Sequence, residues 1–268
     1  MSGTDRTRAR ADGGRQLRIA AVGDLHHDGG GGGAGTLRDL FADINRNADV
    51  LVLTGDLTTH GKPEQMRAFV EELGGVQIPI VAVLGNHDCE SGYEVEVSAI
   101  LRERDVHLLD GDHVIIEGIG FAGTKGFAGG FGRAALAPFG ERIIKEFVQA
   151  SIDEALKLEN ALRNLDAETR VVLMHYAPVV DTVLGEPEVI YAFLGSSRLV
   201  QPLDTLGADI VFHGHAHHGS LEGVTPGGIP VRNVSLPLLR EHKLPFVVWS
   251  VPAKERRRES EPVGRRSG

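Results

Sequence analysis

The chain is poor in cysteine: Cys89 is the only one among its 268 residues. An internal disulfide is therefore excluded, and a reducing compartment, the cytoplasm, is the simplest location to expect. No apolar run approaches the roughly 18 residues that a membrane-spanning helix needs, so no association with a membrane is expected. Residues 1–16 are polar and rich in Arg without an apolar core, so we expect no secretory signal there.

Clustered positive charge is also scarce. The formal net charge is −9, from 28 Lys and Arg against 37 Asp and Glu. This balance argues against nonspecific binding of a nucleic-acid duplex, because phosphate backbones are held by clustered Lys and Arg. A small anionic substrate stays compatible with the charge, since bound metal ions can reverse the local field.

Two Gly-rich segments lack a recognisable phosphate-binding motif. Residues 29–33 are not followed by the Lys and Ser/Thr of a P-loop, so they predict a loop and not a phosphate cradle. Residues 125–133 carry two aromatic residues and two cations among four glycines. Two interpretations of this second segment stay open, a loop that closes over a substrate base or phosphate and an ordinary surface loop.

Strand and helix patterns alternate along residues 17–253, which we interpret as one domain between polar tails at residues 1–16 and 254–268. Strands are predicted at residues 17–22, 50–53, 78–84, 106–109, 113–117, 119–123, 170–174 and 209–212, with two or three more within 221–251. Helices are predicted at residues 36–47, 63–73, 93–104 and 141–165, and a loop and another helix are predicted between the strands at 170–174 and 209–212. Buried strands that alternate with helices favour parallel pairing, and the later short strands add a second sheet. The prediction is a four-layer α/β/β/α sandwich with two mixed sheets.

Polar side chains follow five of the predicted strands. They are Asp24 and His26, then Asp56, then Asn86, His87 and Asp88, then His175, and finally His215 and His217. One His at a strand end is more often a hydrogen-bonded structural residue than a ligand. Five such strand ends are poorly explained by chance, and ligands collect at the carboxyl ends of strands in open α/β sheets. The sequence therefore predicts one shared site.

The residue types at these strand ends predict a metal site. Oxygen and imidazole ligands without a thiolate suit Mn, Fe or Zn in an open site. Residues two apart on an extended chain point the same way. The pair His215 and His217 is therefore expected to reach one cluster together, and so is the pair Asp24 and His26. Two ions need a shared ligand, and Asp56, alone at the end of a central strand, is the natural bridge.

Two further side chains are candidates for proton chemistry. His87 can give or take a proton near neutral pH. Asp88, its neighbour in the sequence, can hold that imidazole in one tautomer. Both are therefore predicted as catalytic residues.

In combination, these motifs resemble the five motifs of the calcineurin-like metallophosphoesterases, and they run in that family's order from residue 24 to residue 217. The resemblance implies one metal ion held by Asp24, His26, Asp56 and His217. It implies a second ion held by Asp56, Asn86, His175 and His215. By the same resemblance His87 is the acid or the phosphate-binding histidine, and Asp88 orients it.

The resemblance implies a two-metal hydrolase of a small phosphoester substrate, with a hydroxide between the ions as the nucleophile. Purple acid phosphatases carry a Tyr three residues after the bridging Asp, where this chain has Thr59. Its size and its Asp-x-His opening resemble the class III cyclic-nucleotide phosphodiesterases. A phosphodiesterase is therefore the first expectation. A phosphomonoesterase acting on a small metabolite or phosphoprotein is the second, a non-catalytic scaffold the third, and a homodimer stays open.

Other polar residues near the motifs are expected to be solvent-facing loop residues. They are His27, Asp28, His60, His213 and His218. Cys89 is expected to be a small buried residue whose position leaves some oxidative sensitivity open.

Overall fold

The computed structural model describes residues 16–30 and 34–252. Its strands are β1 Gln16–Val22, β2 Val50–Thr54, β3 Ile80–Val83, β4 Val106–Leu108, β5 Asp112–Ile116, β6 Ile119–Gly123, β7 Thr169–Leu173, β8 Ile210–His213, β9 Glu222–Val224, β10 Pro230–Asn233 and β11 Val247–Pro252. Its helices are α1 Ala34–Asn47, α2 Pro63–Glu72, α3 Glu94–Glu103, α4 Arg142–Asn164, α5 Tyr191–Leu194, α6 Val200–Leu206 and α7 Leu236–Glu241. The predicted tails and residues 31–33 of the first Gly-rich run lie outside the described residues, except for Gln16, which begins β1.

The strands form two mixed sheets, as predicted. The first sheet has the order β11-β1-β2-β3-β4, and β11 is its antiparallel member. The second has the order β5-β6-β7-β8-β10-β9, with antiparallel strands at both edges and parallel pairing between β6, β7, β8 and β10. The parallel strands β1, β2 and β3 therefore end at one edge of their sheet, and β7 and β8 end at one edge of theirs.

Alternation along the second sheet defines the layers. Phe121 and Phe212 lie in the same buried core as the first sheet and the apolar faces of α1, α2 and α3. Their neighbours Ala122 and Val211 face the other way and pack with Leu158 of α4 and with α6. Because side chains of a strand alternate between its two faces, the sheets lie face to face with helices outside them. The prediction of a four-layer α/β/β/α sandwich is confirmed.

The closing segment differs from its prediction. Residues 221–251 contain three strands, but they also contain α7, which the sequence analysis missed. An apolar run with a Pro resembles an edge strand, whereas Pro237 stands in the first turn of a helix, where a missing N–H costs nothing. Leu236, Leu238 and Leu239 of α7 are buried. Among the described residues, no helix has the length and apolar character required to cross a bilayer.

Candidate metal centre

The first cluster of possible ligands joins the end of β1 to the loop after β8. The Nε2 atom of His217 lies 3.0 Å from Oδ1 of Asp24 and 3.4 Å from Nε2 of His26. Asp24 is buried, and the two rings are half-buried and meet edge to face. The three side chains can each direct one atom to a common point.

The second cluster joins the ends of β2, β3 and β7. The Nε2 atom of His175 lies 3.4 Å from Oδ2 of Asp56 and 2.8 Å from Oδ1 of Asn86. The ring of His215 lies 4.7 Å from the ring of His175, centroid to centroid. His175, His215 and Asp56 also direct one atom each to a common point.

Asp56 stands between the two clusters. Its Oδ2 atom lies 3.4 Å from Nε2 of His175 and 3.9 Å from Nε2 of His26, one in each cluster. The carboxylate is almost fully buried, and its Oδ1 accepts a hydrogen bond from the backbone N–H of His87 at 2.8 Å. The structure thus brings all seven predicted ligands together, with the predicted bridge in the middle. That they bind metal stays a prediction.

Backbone carbonyls select the ring nitrogens that can bind a metal ion. Nδ1 of His175 donates to the carbonyl of Thr54 at 2.9 Å, and Nε2 of His215 donates to the carbonyl of Phe193 at 3.2 Å. A carbonyl oxygen can only accept, so Nε2 of His175 and Nδ1 of His215 keep their lone pairs for a ligand bond. No sequence signal marks Thr54 or Phe193 for this role, since the backbone supplies it.

The donor set fits a cation. His175 is neutral because burial lowers its pKa well below the ordinary value, so its Nε2 and Oδ1 of Asn86 are two acceptors that face each other. Burial, followed by the charges of Asp24 and Asp88, raises the pKa of Asp56 to about 9. Acceptors facing acceptors beside a buried carboxylate are stabilised by a positive ion, and nitrogen and oxygen donors suit a transition metal.

The backbone at four predicted ligands is left-handed, and not extended as the sequence predicted. Asp24, His26, Asp56 and His215 have φ angles of 55°, 46°, 48° and 70°, which L-residues adopt rarely and at a cost. The chain is therefore turning and not extended at these residues. The expectation that His215 and His217 reach one cluster is wrong: the turn sends His217 to Asp24 and His215 to Asp56.

His87 borders both clusters, and it forms a third group of possible metal ligands with His26 and Asp56. Its Nδ1 donates to the carbonyl of Thr59 at 2.7 Å, and its ring meets the ring of His26 edge to face at 4.7 Å. The side chain is 38% exposed. The hydrogen bond on Nδ1 leaves Nε2 as the ring nitrogen that can face a substrate.

The role predicted for Asp88 is wrong. Its carboxylate is fully buried and accepts hydrogen bonds from the backbone N–H groups of Gly85, Leu57 and Thr58 at 2.9, 3.2 and 2.9 Å. The hydroxyl of Thr58 adds a fourth at 2.8 Å. A backbone carbonyl orients His87 instead. Asp88 is a positioning residue that ties the loop after β3 to the loop after β2.

Glycines precede the ligands because carboxylates lie against them. A Cβ on Gly85 would stand 2.1 Å from Oδ1 of Asp56, and a Cβ on Gly214 would stand 2.2 Å from Oδ2 of Asp24. Neither carboxylate can move aside without leaving its cluster.

The neighbouring polar residues follow expectation only in part. Asp28, His60 and His218 are exposed. His213 is fully buried, where its Nε2 pairs with the hydroxyl of Thr182 at 2.7 Å, and His27 is also buried. The expectation of solvent exposure is therefore wrong for His27 and His213, because His27 packs against Phe69 of α2 and His213 against Thr182.

The chain is similar to known proteins in sequence and in fold. The family model of calcineurin-like phosphoesterases matches residues 17–219. A probable cyclic nucleotide phosphodiesterase of Synechococcus sp. is 43% identical over 53 residues, which cover 18% of this chain and 20% of that protein. The chain therefore aligns with about a fifth of that relative's length.

Two solved structures share the fold. The phosphopantetheinyl hydrolase PptH of Mycobacterium tuberculosis superposes with a TM-score of 0.62 at 16% identity, over 89% of this chain and 96% of that one. Protein TT1561 of Thermus thermophilus gives a TM-score of 0.52 at 16% identity, over 90% of this chain and all of the other. At this level of identity the likeness shows the architecture alone.

Proposed function

Because the chain belongs to the calcineurin-like phosphoesterase family, we propose that it is a two-metal phosphodiesterase acting on a small substrate. The observation that carries the proposal is the position of Asp56. One of its oxygens lies within 4 Å of His26 on one side and of His175 on the other. A carboxylate shared in this way suits a pair of ions, which phosphoester hydrolases use.

The two clusters give each ion a set of ligands. Asp24, His26, Asp56 and His217 would hold the first ion, and Asp56, Asn86, His175 and His215 would hold the second. Bound there, the ions would supply positive charge for the phosphoryl oxygens and acidify a water molecule. Mn, Fe and Zn all suit these nitrogen and oxygen donors.

The protein's own residues would position the ester and supply a proton to its leaving group. His87 stands beside both clusters and its Nδ1 is held by a backbone carbonyl, so Nε2 is the atom that can donate a proton to the departing alkoxide oxygen. The carbonyl of Thr59 fixes the ring by accepting a hydrogen bond from Nδ1. Asp88 holds the loops that carry Asp56 and His87 in register. Little covalent chemistry is left for the protein beyond this positioning.

A substrate panel tests the proposal. The full chain, stripped of metal and reloaded in turn with Mn²⁺, Zn²⁺, Fe²⁺ and Ni²⁺, is assayed on bis-p-nitrophenyl phosphate and p-nitrophenyl phosphate. Cyclic nucleotides, linear dinucleotides and glycerophosphodiesters complete the panel. We expect hydrolysis of diesters with at least one metal. A preference for monoesters would make the protein a phosphomonoesterase, and a loaded sample without activity on any ester would favour a scaffold.

A further inference from the structure

A sixth strand end lies beside the metal centre. β6 pairs in parallel with β7, so it ends at the same edge of the second sheet as the strand that leads to His175. Lys125 follows that end, and its carbonyl accepts hydrogen bonds from the backbone N–H groups of His175 at 2.9 Å and Tyr176 at 3.2 Å. The backbone of the second Gly-rich segment is thereby fixed against a predicted ligand.

The ammonium group of Lys125 uses only part of its hydrogen-bonding capacity. Its Nζ donates to the carbonyl of Gly126 at 3.2 Å, and within residues 16–30 and 34–252 it forms no ion pair with a carboxylate. The charge lies 5.2 Å from the ring centroid of Phe127 and 5.4 Å from that of Tyr176, as in cation–π contacts. It also acts on Asp56, whose pKa it lowers against the larger effect of burial. Two of three ammonium protons therefore stay available to an anion near the centre.

A row of aromatic rings leads away from the metal centre. The ring of Tyr176 lies 4.6 Å from that of His215 and 5.9 Å from that of Phe127. Phe147 follows at 5.1 Å from Phe127, and Phe193 at 6.4 Å from Phe147. We refer to Tyr176, Phe127, Phe147 and Phe193 as the aromatic row. The carbonyl of Phe193 accepts a hydrogen bond from Nε2 of His215, so both ends of the row contact the same predicted ligand.

The outer part of the row is open to solvent. Phe193 is 58% exposed, and Phe127 and Phe147 are half-buried, whereas Tyr176 is buried. Aromatic side chains left open beside a cation and the candidate metal centre suit a planar ring linked to a phosphate. Planar bases stack on such rings, while the ammonium group binds the anion.

We propose that the aromatic row and Lys125 form a subsite for the base of a nucleotide substrate, with Lys125 on a phosphoryl oxygen and Phe147 and Phe193 against the base. The proposal rests on the function proposed above and names the substrate class for that centre. It also gives the second Gly-rich segment a function, because that segment supplies Lys125 and Phe127.

Binding without turnover tests the subsite separately from catalysis. The metal-loaded full chain is titrated by calorimetry with adenosine 5′-monophosphate and with ribose 5-phosphate, which differ only by the base. ³¹P NMR on the recovered solution verifies that each ligand is intact. We expect the base to tighten binding about 5- to 100-fold, the range for one base stacked on aromatic side chains. Equal affinities would overturn the proposal.

Variants of the aromatic row test whether its rings cause the tighter binding of the ligand that carries a base. Phe193→Ala should bring the ratio of the two affinities towards one, and Phe147→Ala should do the same, since each removes a stacking surface. Phe139→Ala is the control, because Phe139 is 84% exposed and lies outside the row. Lys125→Met should weaken both ligands alike and leave the ratio unchanged. An unchanged ratio in both Phe147→Ala and Phe193→Ala would overturn the placement of the base.

A second ligand pair tests the aromatic chemistry itself. Benzyl phosphate and cyclohexylmethyl phosphate carry the same number of carbons, but only the first is planar. Tighter binding of the benzyl compound supports stacking, and equal binding overturns it in favour of a general apolar pocket. Hydrolysis without selectivity for the base would overturn the subsite alone. Selectivity for the base without hydrolysis would leave the subsite standing and overturn the proposed activity.

Discussion

The Nδ1 atom of His87 lies 2.7 Å from the carbonyl oxygen of Thr59. Because that carbonyl can only accept, the proton on Nδ1 is fixed and proton exchange with a substrate falls to Nε2. The ring also belongs to a group of possible metal ligands with His26 and Asp56, although neither of the two proposed sets of four ligands includes it. Removal of the ring therefore distinguishes a proton donor from a ligand, because only the loss of a ligand should release a metal ion.

His87→Ala should therefore keep both metal ions and lose acid catalysis. On diesters with alkyl leaving groups, kcat/KM should fall by roughly 10²–10⁴, the usual contribution of a positioned proton donor. On bis-p-nitrophenyl phosphate the loss should be much smaller, because p-nitrophenolate departs without a proton. Equal losses on both ester types would instead make His87 a phosphate-positioning residue, and loss of a metal ion would make it a ligand.

Asp88→Asn should destabilise the fold around the centre. Each carboxylate oxygen of Asp88 accepts from at least one backbone N–H group, so the amide nitrogen of an Asn would meet a donor in either orientation. The free energy of unfolding in urea should fall by about 1–3 kcal/mol, the cost of a buried polar group left unsatisfied. Asp39→Asn, on an exposed helix face, is the matched control. A variant as stable as wild type would contradict the assigned role.

The example of Asp88 shows what local pattern can and cannot predict. Apolar runs that end in polar residues predicted β1 to β8 and the five strand ends. They could do so because the hydrophobic pattern of a buried strand lies in consecutive residues of the sequence. A neighbour in sequence is not a neighbour in space: Asp88 follows His87 but turns to Leu57 and Thr58.

The contributions of the backbone to the site could not be predicted either, because they depend on contacts between residues distant in the sequence. The carbonyls of Thr54 and Phe193 carry no side-chain signal, and the positive φ of His215 appears only in three dimensions. Helix α7 was missed because a short apolar run fits a strand as well as a helix.

Gly85→Ala should damage the centre without removing a ligand. The new Cβ would stand 2.1 Å from Oδ1 of Asp56 and 2.3 Å from its backbone nitrogen, so the bridging carboxylate must shift. Metal content per chain and hydrolysis should both drop. Gly74→Ala is the control, since nothing lies within 4 Å of a Cβ there. Full metal content in Gly85→Ala would show that the site tolerates a displaced Asp56.

Cys89 is half-buried and not buried as expected, yet it should react slowly in the folded protein. Burial is the main cause that raises the pKa of its thiol from 9.0 to about 12, so the thiol stays protonated near neutral pH. Alkylation by iodoacetamide at pH 8 should be about 10³-fold slower than in urea, because the thiolate is the nucleophile. Cys89→Ser supplies the blank. Equal labelling rates in the folded and unfolded protein would contradict this account.

If Asp56 bridges two ions, the metal stoichiometry of wild type and Asp56→Ala must differ. After reloading with Mn²⁺, wild type should hold two ions per chain with the electron paramagnetic resonance signature of a coupled pair. Asp56→Ala should hold at most one ion without coupling, and it should keep a wild-type circular dichroism spectrum. Two coupled ions in the variant, or a single ion in wild type, would contradict the account.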